Sequence, residues 1–257
     1  MFYDSTDPIS NGIGTEVRTA MGLEETELKG FRTFASHDIQ LVDVKQKIIF
    51  TDRIVKMFDA DLMIFLSRHR SADGVKAFTV HPTGNWSGSA DYGGTPKTLS
   101  VAAPHFMAGM LRELSKANKM DFEVTYEATH HGPITETPSL FVEAGGPEII
   151  DSRAYKVVSE AIAGAIFGEN SVGEVVVGIG SGHYPRKFTK EALDSRYAIS
   201  HMMPKYQSEN IDMLEAAVNR SRPSADKVLI EWNGLKGSQR SAILEKLEEI
   251  GIDYIRI

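Results

Sequence analysis

Long apolar runs alternating with amphipathic stripes constrain this chain most. Strand-like runs occur at residues 39–44, 47–50, 61–67, 77–81, 122–128, 139–144, 174–179, 227–232 and 253–257. Several are apolar throughout, as strands buried on both faces are. Helical stripes lie between them. Pro104 opens one, because proline suits a first helical turn, and Phe106, Met107, Met110, Leu111 and Leu114 form its apolar face. Met107 and Met110 there read as core filler. Asp151 or Ser152 caps the next helix, over Ala154, Val157, Val158, Ala161, Ile162 and Ala165. Thr189 is expected to cap a third, over 190–197, and Ser208 to begin a fourth carrying Ile211, Leu214, Ala217 and Val218. The last, 239–250, stops at Gly251. This alternation predicts a three-layer α/β fold with a mixed, mostly parallel sheet, in one domain over residues 1–257.

In such sheets ligands bind at the carboxyl ends of strands. Most of the eight histidines fall in that setting, beside Gly, Pro or small polar residues. His130-His131-Gly132-Pro133 ends an apolar run, with Glu143-Ala-Gly145-Gly146 soon after. His69 lies in Ser67-Arg-His-Arg-Ser71, His81 in Thr79-Val-His-Pro-Thr-Gly-Asn85, and His183 in Gly180-Ser-Gly-His-Tyr-Pro185. Imidazole suits both metal ligation and proton transfer near neutral pH. Adjacent side chains alternate along a strand, so His130 and His131 are expected to diverge, one of them toward the cleft. A charge at the end of the apolar run before Gly145-Gly146 makes Glu143 a candidate base, ligand or histidine partner, and Glu127 is a similar but less well placed case. The alternating glycines 178, 180 and 182 allow close backbone approach by a ligand. His37 and His201 read as surface or structural residues.

There is no cysteine, so no disulfide forms and any metal takes His, Asp, Glu or water. The chain has no apolar run of membrane-span length and no signal-peptide start, and it reads as cytoplasmic. A net charge of −7 argues against nonspecific nucleic-acid binding, but not against a local basic face. Arg68, Arg70 and Lys76 surround one histidine block, and Arg186, Lys187 and Lys190 follow another. Zincin helix, nucleophile elbow and Walker loop are all missing. The residues alone therefore stop at a hydrolase-like α/β protein with metal use open.

Taken in order, these blocks go further. Ser67-Arg-His-Arg-Ser71, Thr79-Val-His-Pro-Thr-Gly-Asn-Trp86, Tyr126-Glu-Ala-Thr-His-His-Gly-Pro133, Pro138-Ser-Leu-Phe-Val-Glu143, Gly178-Ile-Gly-Ser-Gly-His-Tyr-Pro185, Met203-Pro-Lys-Tyr206 and Glu231-Trp232 with Arg240 closely resemble the archaeal and plant type of D-aminoacyl-tRNA deacylase. The resemblance covers most of the chain from about Ala60 onward. It implies a fold similar to peptidyl-tRNA hydrolase and the purine nucleoside phosphorylases. It also implies zinc, and hydrolysis of the ester joining a D-amino acid to tRNA. Relative to that family the first strand, before Asp7-Pro8, looks truncated.

On this reading His81, His130, His131 and Glu143 are the candidate catalytic residues, and His81, His130 and His183 the candidate zinc ligands. His69, Asn85, Gly180, Gly182, Arg186, Lys187 and Lys190 are expected to meet substrate or tRNA, with the Gly180–Gly182 amides as oxyanion donors and the three cations on phosphates. D-aminoacyl-tRNA is the expected partner of a monomer that binds neither DNA nor membrane. The competing readings are a zinc-dependent small-molecule hydrolase, a nucleoside phosphorylase-like enzyme, and a tRNA-binding module without turnover.

Overall fold

The computed structural model describes residues 1–70, 74–146, 151–169 and 173–257; Ser71 of the first histidine block lies outside them. In chain order the elements are β1 (Phe2–Tyr3), α1 (Pro8–Ala20), β2 (Glu24–Leu28), β3 (Phe31–Ser36), β4 (Ile39–Asp43), α2 (Asp52–Val55), β5 (Met63–His69), β6 (Ala77–His81), β7 (Gly84–Asn85) and β8 (Thr98–Leu99). Then follow α3 (Pro104–Ala117), β9 (Glu123–Tyr126), β10 (Ser139–Gly145), α4 (Arg153–Phe167), β11 (Glu174–Ser181), α5 (Arg186–Leu193), β12 (Tyr197–Pro204), α6 (Leu214–Asn219), β13 (Lys227–Ile230), α7 (Gly237–Ile250) and β14 (Asp253–Arg256).

The fold is mixed α/β, and most strand pairs are parallel. The strands divide between two main sheets rather than lying in one. The larger has the order β2-β3-β4-β1-β5-β10-β6-β9, the smaller β12-β11-β13-β14, and β7 and β8 form a short ribbon. One face of the large sheet, carrying Ile64, Leu66, Phe78, Val80, Leu140, Val142 and Ala144, joins the main core with α1, α3 and α4. Helix α3 packs against both sheets, touching β6 and β9 on one side and β12 on the other. The opposite face carries a separate apolar cluster of Phe2, Val42, Met63, Phe65 and Phe141 beneath the segment around Ile48 and Phe58. Beyond Phe141 that face is left to polar residues.

Local chemistry accounts for several elements. Asp7 caps α1 by accepting hydrogen bonds from the Ile9 and Ser10 amides at 2.9 and 3.1 Å, and Pro8 occupies the first turn. A Cβ at position 14 would come within 2.7 Å of the Tyr3 ring, so glycine lets α1 settle on β1. Helix α7 ends at Gly251 in the left-handed conformation at φ 66°.

Three expectations fail locally. Residues 47–50 carry a 3-10 turn, Ile48–Phe50, whose apolar side chains cover the sheet instead of joining it. Thr189 lies inside α5, which starts at Arg186; its hydroxyl accepts the Tyr126 amide at 3.0 Å and ties the helix to β9. Tyr197 accordingly opens strand β12 rather than closing a helix. Ser208 sits within a 3-10 helix, Lys205–Met213, and only Leu214–Asn219 continues as α-helix. Among the described residues no helix is long and apolar enough to cross a membrane.

Candidate active site

Register places the site. On β10, Phe141 lies opposite Phe65 and His81, Glu143 opposite Ser67 and Thr79, and Gly145 opposite His69 and Ala77. Alternate residues share a face, so His81, Glu143, Ser67, Thr79 and His69 all project from the face that α1, α3 and α4 leave uncovered. Strand β9 stops at Tyr126. The chain then crosses to the small sheet, with the Ala128 amide donating to the His183 carbonyl at 2.8 Å and the Thr129 amide to that of Met202 at 3.0 Å. This crossing brings His183, from the end of β11, against the histidines of the large sheet.

The alternation expected of His130 and His131 does not apply, because the strand has already ended. His131 adopts φ 44°, a conformation L-residues seldom take, and both rings enter the same cluster with centroids 4.2 Å apart. The His81 and His130 centroids are 4.3 Å apart, and those of His130 and His183 4.9 Å. Gly132 then packs its backbone directly onto Gly93 and Gly94, a contact that any side chain at position 132 would break.

Glu127 is the hub. One carboxylate oxygen lies 2.7 Å from His69 Nδ1; the other lies 3.2 Å from His183 Nε2 and 3.4 Å from His130 Nε2. Burial pushes this carboxyl up, but hydrogen bonds to His183 and His69 and the nearby imidazoles of His130 and His81 outweigh it and hold it well below the usual carboxylate range. Glu143 goes the other way. Burial, and then the Glu127 charge, drive it well above that range, against the pull of the Ser67 and Thr79 hydroxyls. Of the two, Glu127 is therefore the ionised acceptor and Glu143 the group that favours its proton. Sequence reasoning ranked them in the reverse order. The signal for Glu127 was its place at the end of an apolar run, three residues before His130.

Burial first, and then neighbouring imidazoles, lower His81, His130 and His131 to about 3, so these rings are neutral at physiological pH. Their Nδ1 atoms lie 3.1, 2.8 and 2.7 Å from the carbonyls of Pro82, Ala128 and Gly132. A carbonyl only accepts, so each Nδ1 carries the hydrogen and each Nε2 presents a lone pair. His81 Nε2 is buried without a partner, and His130 Nε2 faces a carboxylate oxygen, one acceptor against another. Such a constellation suits a cation. Two overlapping sets have ligand atoms within 4.8 Å of one another: His81, His130 and His131, and Glu127, His130 and His183. The three expected ligands are thus distributed over both sets, joined by His130. A third group, His69, Glu127 and Glu143, is fully buried.

Two cavities meet at this cluster. The larger, about 400 Å³, is lined by Glu127, Glu143, His130, His131 and His183, and extends past Ser67, Arg68 and Arg70 to Asp4, Asp7 and Ser10 at the start of α1. The smaller, about 170 Å³, includes Asn85, Trp86, Thr129, Tyr206 and Gln207. His130, His131 and Tyr92 line both, and Tyr92 is 70% exposed. Neither Tyr92 nor the α1 start was singled out from sequence as part of the site, because a cap and a turn tyrosine carry no chemistry of their own.

Several expected contacts are placed differently. The His69 side chain is only 1% exposed and serves Glu127, so it is not available to RNA. Asn85 lines the smaller cavity, but its amide donates to the Gly93 and Thr95 carbonyls at 2.9 and 3.2 Å, bracing the Tyr92 loop. Gly180, at φ 99°, faces protein: a Cβ there would sit 2.9 Å from the Glu231 carbonyl oxygen and 3.0 Å from Leu235. Its glycine is required by packing, not by ligand approach. Gly182 does face open space. Arg186 is locked to Glu123 by two hydrogen bonds of 3.0 and 3.1 Å, which compensates the charge intended for phosphate. Lys187 and Lys190 remain exposed. His201 is a core residue, with Nε2 3.0 and 2.9 Å from the carbonyls of Ser100 and Arg220, and His37 is an exposed turn residue at φ 49°.

A family model described as D-aminoacyl-tRNA deacylase matches residues 56–255. The D-aminoacyl-tRNA deacylase of Pyrococcus abyssi is 34% identical, covering 97% of this chain and 96% of the relative. The enzyme of the same name from Archaeoglobus fulgidus is 32% identical, covering 98% and 93%. A crystal structure of a conserved protein of unknown function superposes with a TM-score of 0.91 at 31% identity, over 99% of this chain and 93% of that one. The family match spans every histidine of the cluster together with Glu127 and Glu143, and the chain belongs to the D-aminoacyl-tRNA deacylase family.

Proposed function

We propose that this chain hydrolyses the ester of D-aminoacyl-tRNA at the Glu127–histidine cluster, releasing the D-amino acid and free tRNA. Family membership supports the reaction, and one observation carries the site. A buried, ionised carboxylate is held by His69 and His183, beside His130, on the wall of an open cleft.

An aminoacyl ester is already activated, so its hydrolysis needs an aimed water, a proton acceptor and donors for the developing oxyanion. His183 and His130 are similarly exposed, at 35% and 32%, but His183 is the one that hydrogen-bonds Glu127, with Nε2 3.2 Å from the carboxylate and Nδ1 3.3 Å from the Tyr206 hydroxyl. It is placed to take a proton from the attacking water, with Glu127 stabilising the imidazolium, and to return it to the departing ribose oxygen. His69, held between Glu127 and Glu143, fixes the carboxylate's orientation. Of the two glycines, Gly182 is the one whose α-carbon borders open space, and its amide remains the proposed oxyanion donor. Zinc would be held by His81, His130 and His131, which leaves the His183–Glu127 pair intact, and when bound it would supply a water acidified to near neutral pH and polarise the carbonyl. Selection of the D form rests on a cleft wall that hinders the L side chain.

The reading takes residues 1–257 as one domain acting as a cytoplasmic monomer, with tRNA rather than DNA or membrane as partner. It places the fold near peptidyl-tRNA hydrolase and the purine nucleoside phosphorylases. One core cluster spanning both main sheets supports the single domain. The test is to incubate the protein with D-tyrosyl-tRNA and L-tyrosyl-tRNA, with and without chelator, and measure the ester remaining. Selective loss of the D-ester is expected, abolished by chelation. A phosphorylase-like enzyme would ignore both and require phosphate. A binding module would retain both esters and leave them intact. The family match favours neither alternative.

A further inference from the structure

The four strands of the small sheet are all parallel, so their carboxyl ends share one rim. At one end of the rim, β11 and β12 lead to His183 and Tyr206, which touch at the active site. At the other end, β13 leads to Trp232 and β14 ends at Arg256. Strands lie about 4.8 Å apart, so the four span roughly 15 Å. Along this rim, Trp232 gathers two guanidiniums. Arg256 stacks over its ring at 3.8 Å and Arg240 at 4.8 Å. Arg240 also donates two hydrogen bonds, of 3.2 and 3.0 Å, to the Trp232 carbonyl. Among the described residues neither arginine has a carboxylate within ion-pair distance. An aromatic face orders a guanidinium without cancelling its charge, whereas Arg186 is neutralised by Glu123. Exposed Lys187 and Lys205 extend the cationic track toward His183, with Glu231 at 4.0 Å from Lys187 as its nearest acid.

We propose that this rim, centred on Arg240 and Arg256 over Trp232, docks the phosphates of the tRNA acceptor arm and leads its aminoacylated end to His183. The identification of the RNA rests on the deacylase reading; the cationic surface does not. Fixed guanidiniums suit phosphate oxygens, and continuity with the cleft gives the strand a direction. Its centre, Arg240 and Arg256, lies outside the block 186–190 that sequence alone indicated, of which only Lys187 joins the track.

The test is the double variant Arg240→Glu with Arg256→Glu, beside Arg256→Glu alone, whose side chain is exposed and whose loss spares the fold, and the Arg→Lys pair. Three readouts are taken on each: Kd for uncharged tRNA across salt, hydrolysis of D-aminoacyl-tRNA, and hydrolysis of a D-aminoacyl-adenosine ester. The double variant is expected to bind tRNA at least about tenfold more weakly, with the log Kd against log salt slope reduced by about two. The short ester should be cleaved within about twofold of the wild-type rate, and the lysine pair should restore most binding. If the wild type cleaves both esters but the Glu variants keep wild-type affinity and slope, the rim assignment falls and the deacylase reading stands. If the wild type cleaves neither ester and the variants still lose tRNA, the reverse holds. A wild type that does not bind tRNA overturns the rim.

Discussion

The two main sheets end in opposite kinds of surface. The large sheet ends in a cluster whose charges are suppressed or paired: three imidazoles near pKa 3, a carboxyl that favours its proton, and one carboxylate held by histidines. The small sheet ends in exposed or half-exposed cations, two of them ordered by an aromatic ring. Buried groups with shifted pKa values suit proton transfer and metal ligation. Exposed, uncompensated cations suit a polyanion and long-range attraction. The crossing at Ala128 and Thr129 couples the two, delivering His183 from one sheet to the other.

The comparison breaks if damage to the buried cluster behaves like damage to the rim. His130→Ala removes the residue shared by both ligand sets, and it should lower hydrolysis of D-aminoacyl-tRNA and of the short ester alike, by at least about 100-fold. Turnover per folded molecule, with zinc content and Tm on the same samples, separates this from unfolding. The two glutamates sharpen it. Glu127→Gln removes the ionised hub and should cost about 10- to 100-fold in turnover or zinc affinity. Glu143→Gln replaces a carboxyl that already favours its proton with a near-isostere, and should cost under about fivefold. Equal losses would show that Glu143 is charged in the working enzyme.

Acid should strike the large-sheet cluster first. His81, His130 and His131 titrate near 3 in the folded chain, against 6.5 for a free imidazole. Between those values the unfolded chain binds more protons, so stability rises with pH and is lost as pH falls from about 6.5 toward 3. Glu127, depressed, adds to this loss below its ordinary value near 4.5. Glu143, raised, opposes it, since its contribution is lost as pH rises above about 4.5. With three histidines against one carboxyl, Tm should fall on acidification from pH 7 to pH 4, less steeply in His130→Ala. The smallest effect concerns the rim's neighbour. Glu123→Gln frees Arg186 and should tighten tRNA binding only about two- to threefold, leaving the short ester unaffected.

Legibility followed how far each pattern was local. Strand β6 and the end of α7 were read correctly, since an apolar run and a terminal glycine act on their own neighbours. Helix α1 was missed although Asp7-Pro8 marks its start, because Gly12 and Gly14 weaken its periodicity to admit Tyr155 of α4 and Tyr3 of β1, contacts made only in the fold. Strand β12 was missed because Ser200 and His201 interrupt its apolar run; both are satisfied by tertiary hydrogen bonds. The exposed β2–β3 hairpin has one solvated edge and little hydrophobic pattern. At the site, the histidines were legible as residue types beside strand ends. Glu127's role depends on three imidazoles arriving from β5, from its own loop and from beyond β11, a convergence no spacing encodes.

The most direct test of the central claim is single-turnover hydrolysis of D-tyrosyl-tRNA and L-tyrosyl-tRNA by the wild type and by Glu127→Gln. Both must be folded, as judged by Tm, and matched in metal content. The wild type should cleave the D-ester selectively, and Glu127→Gln should slow that step by at least about tenfold without changing tRNA affinity. A wild type that cleaves both esters equally, or a Glu127→Gln variant that keeps the wild-type rate on the D-ester, would contradict the assignment of the chemistry to this carboxylate and its histidines.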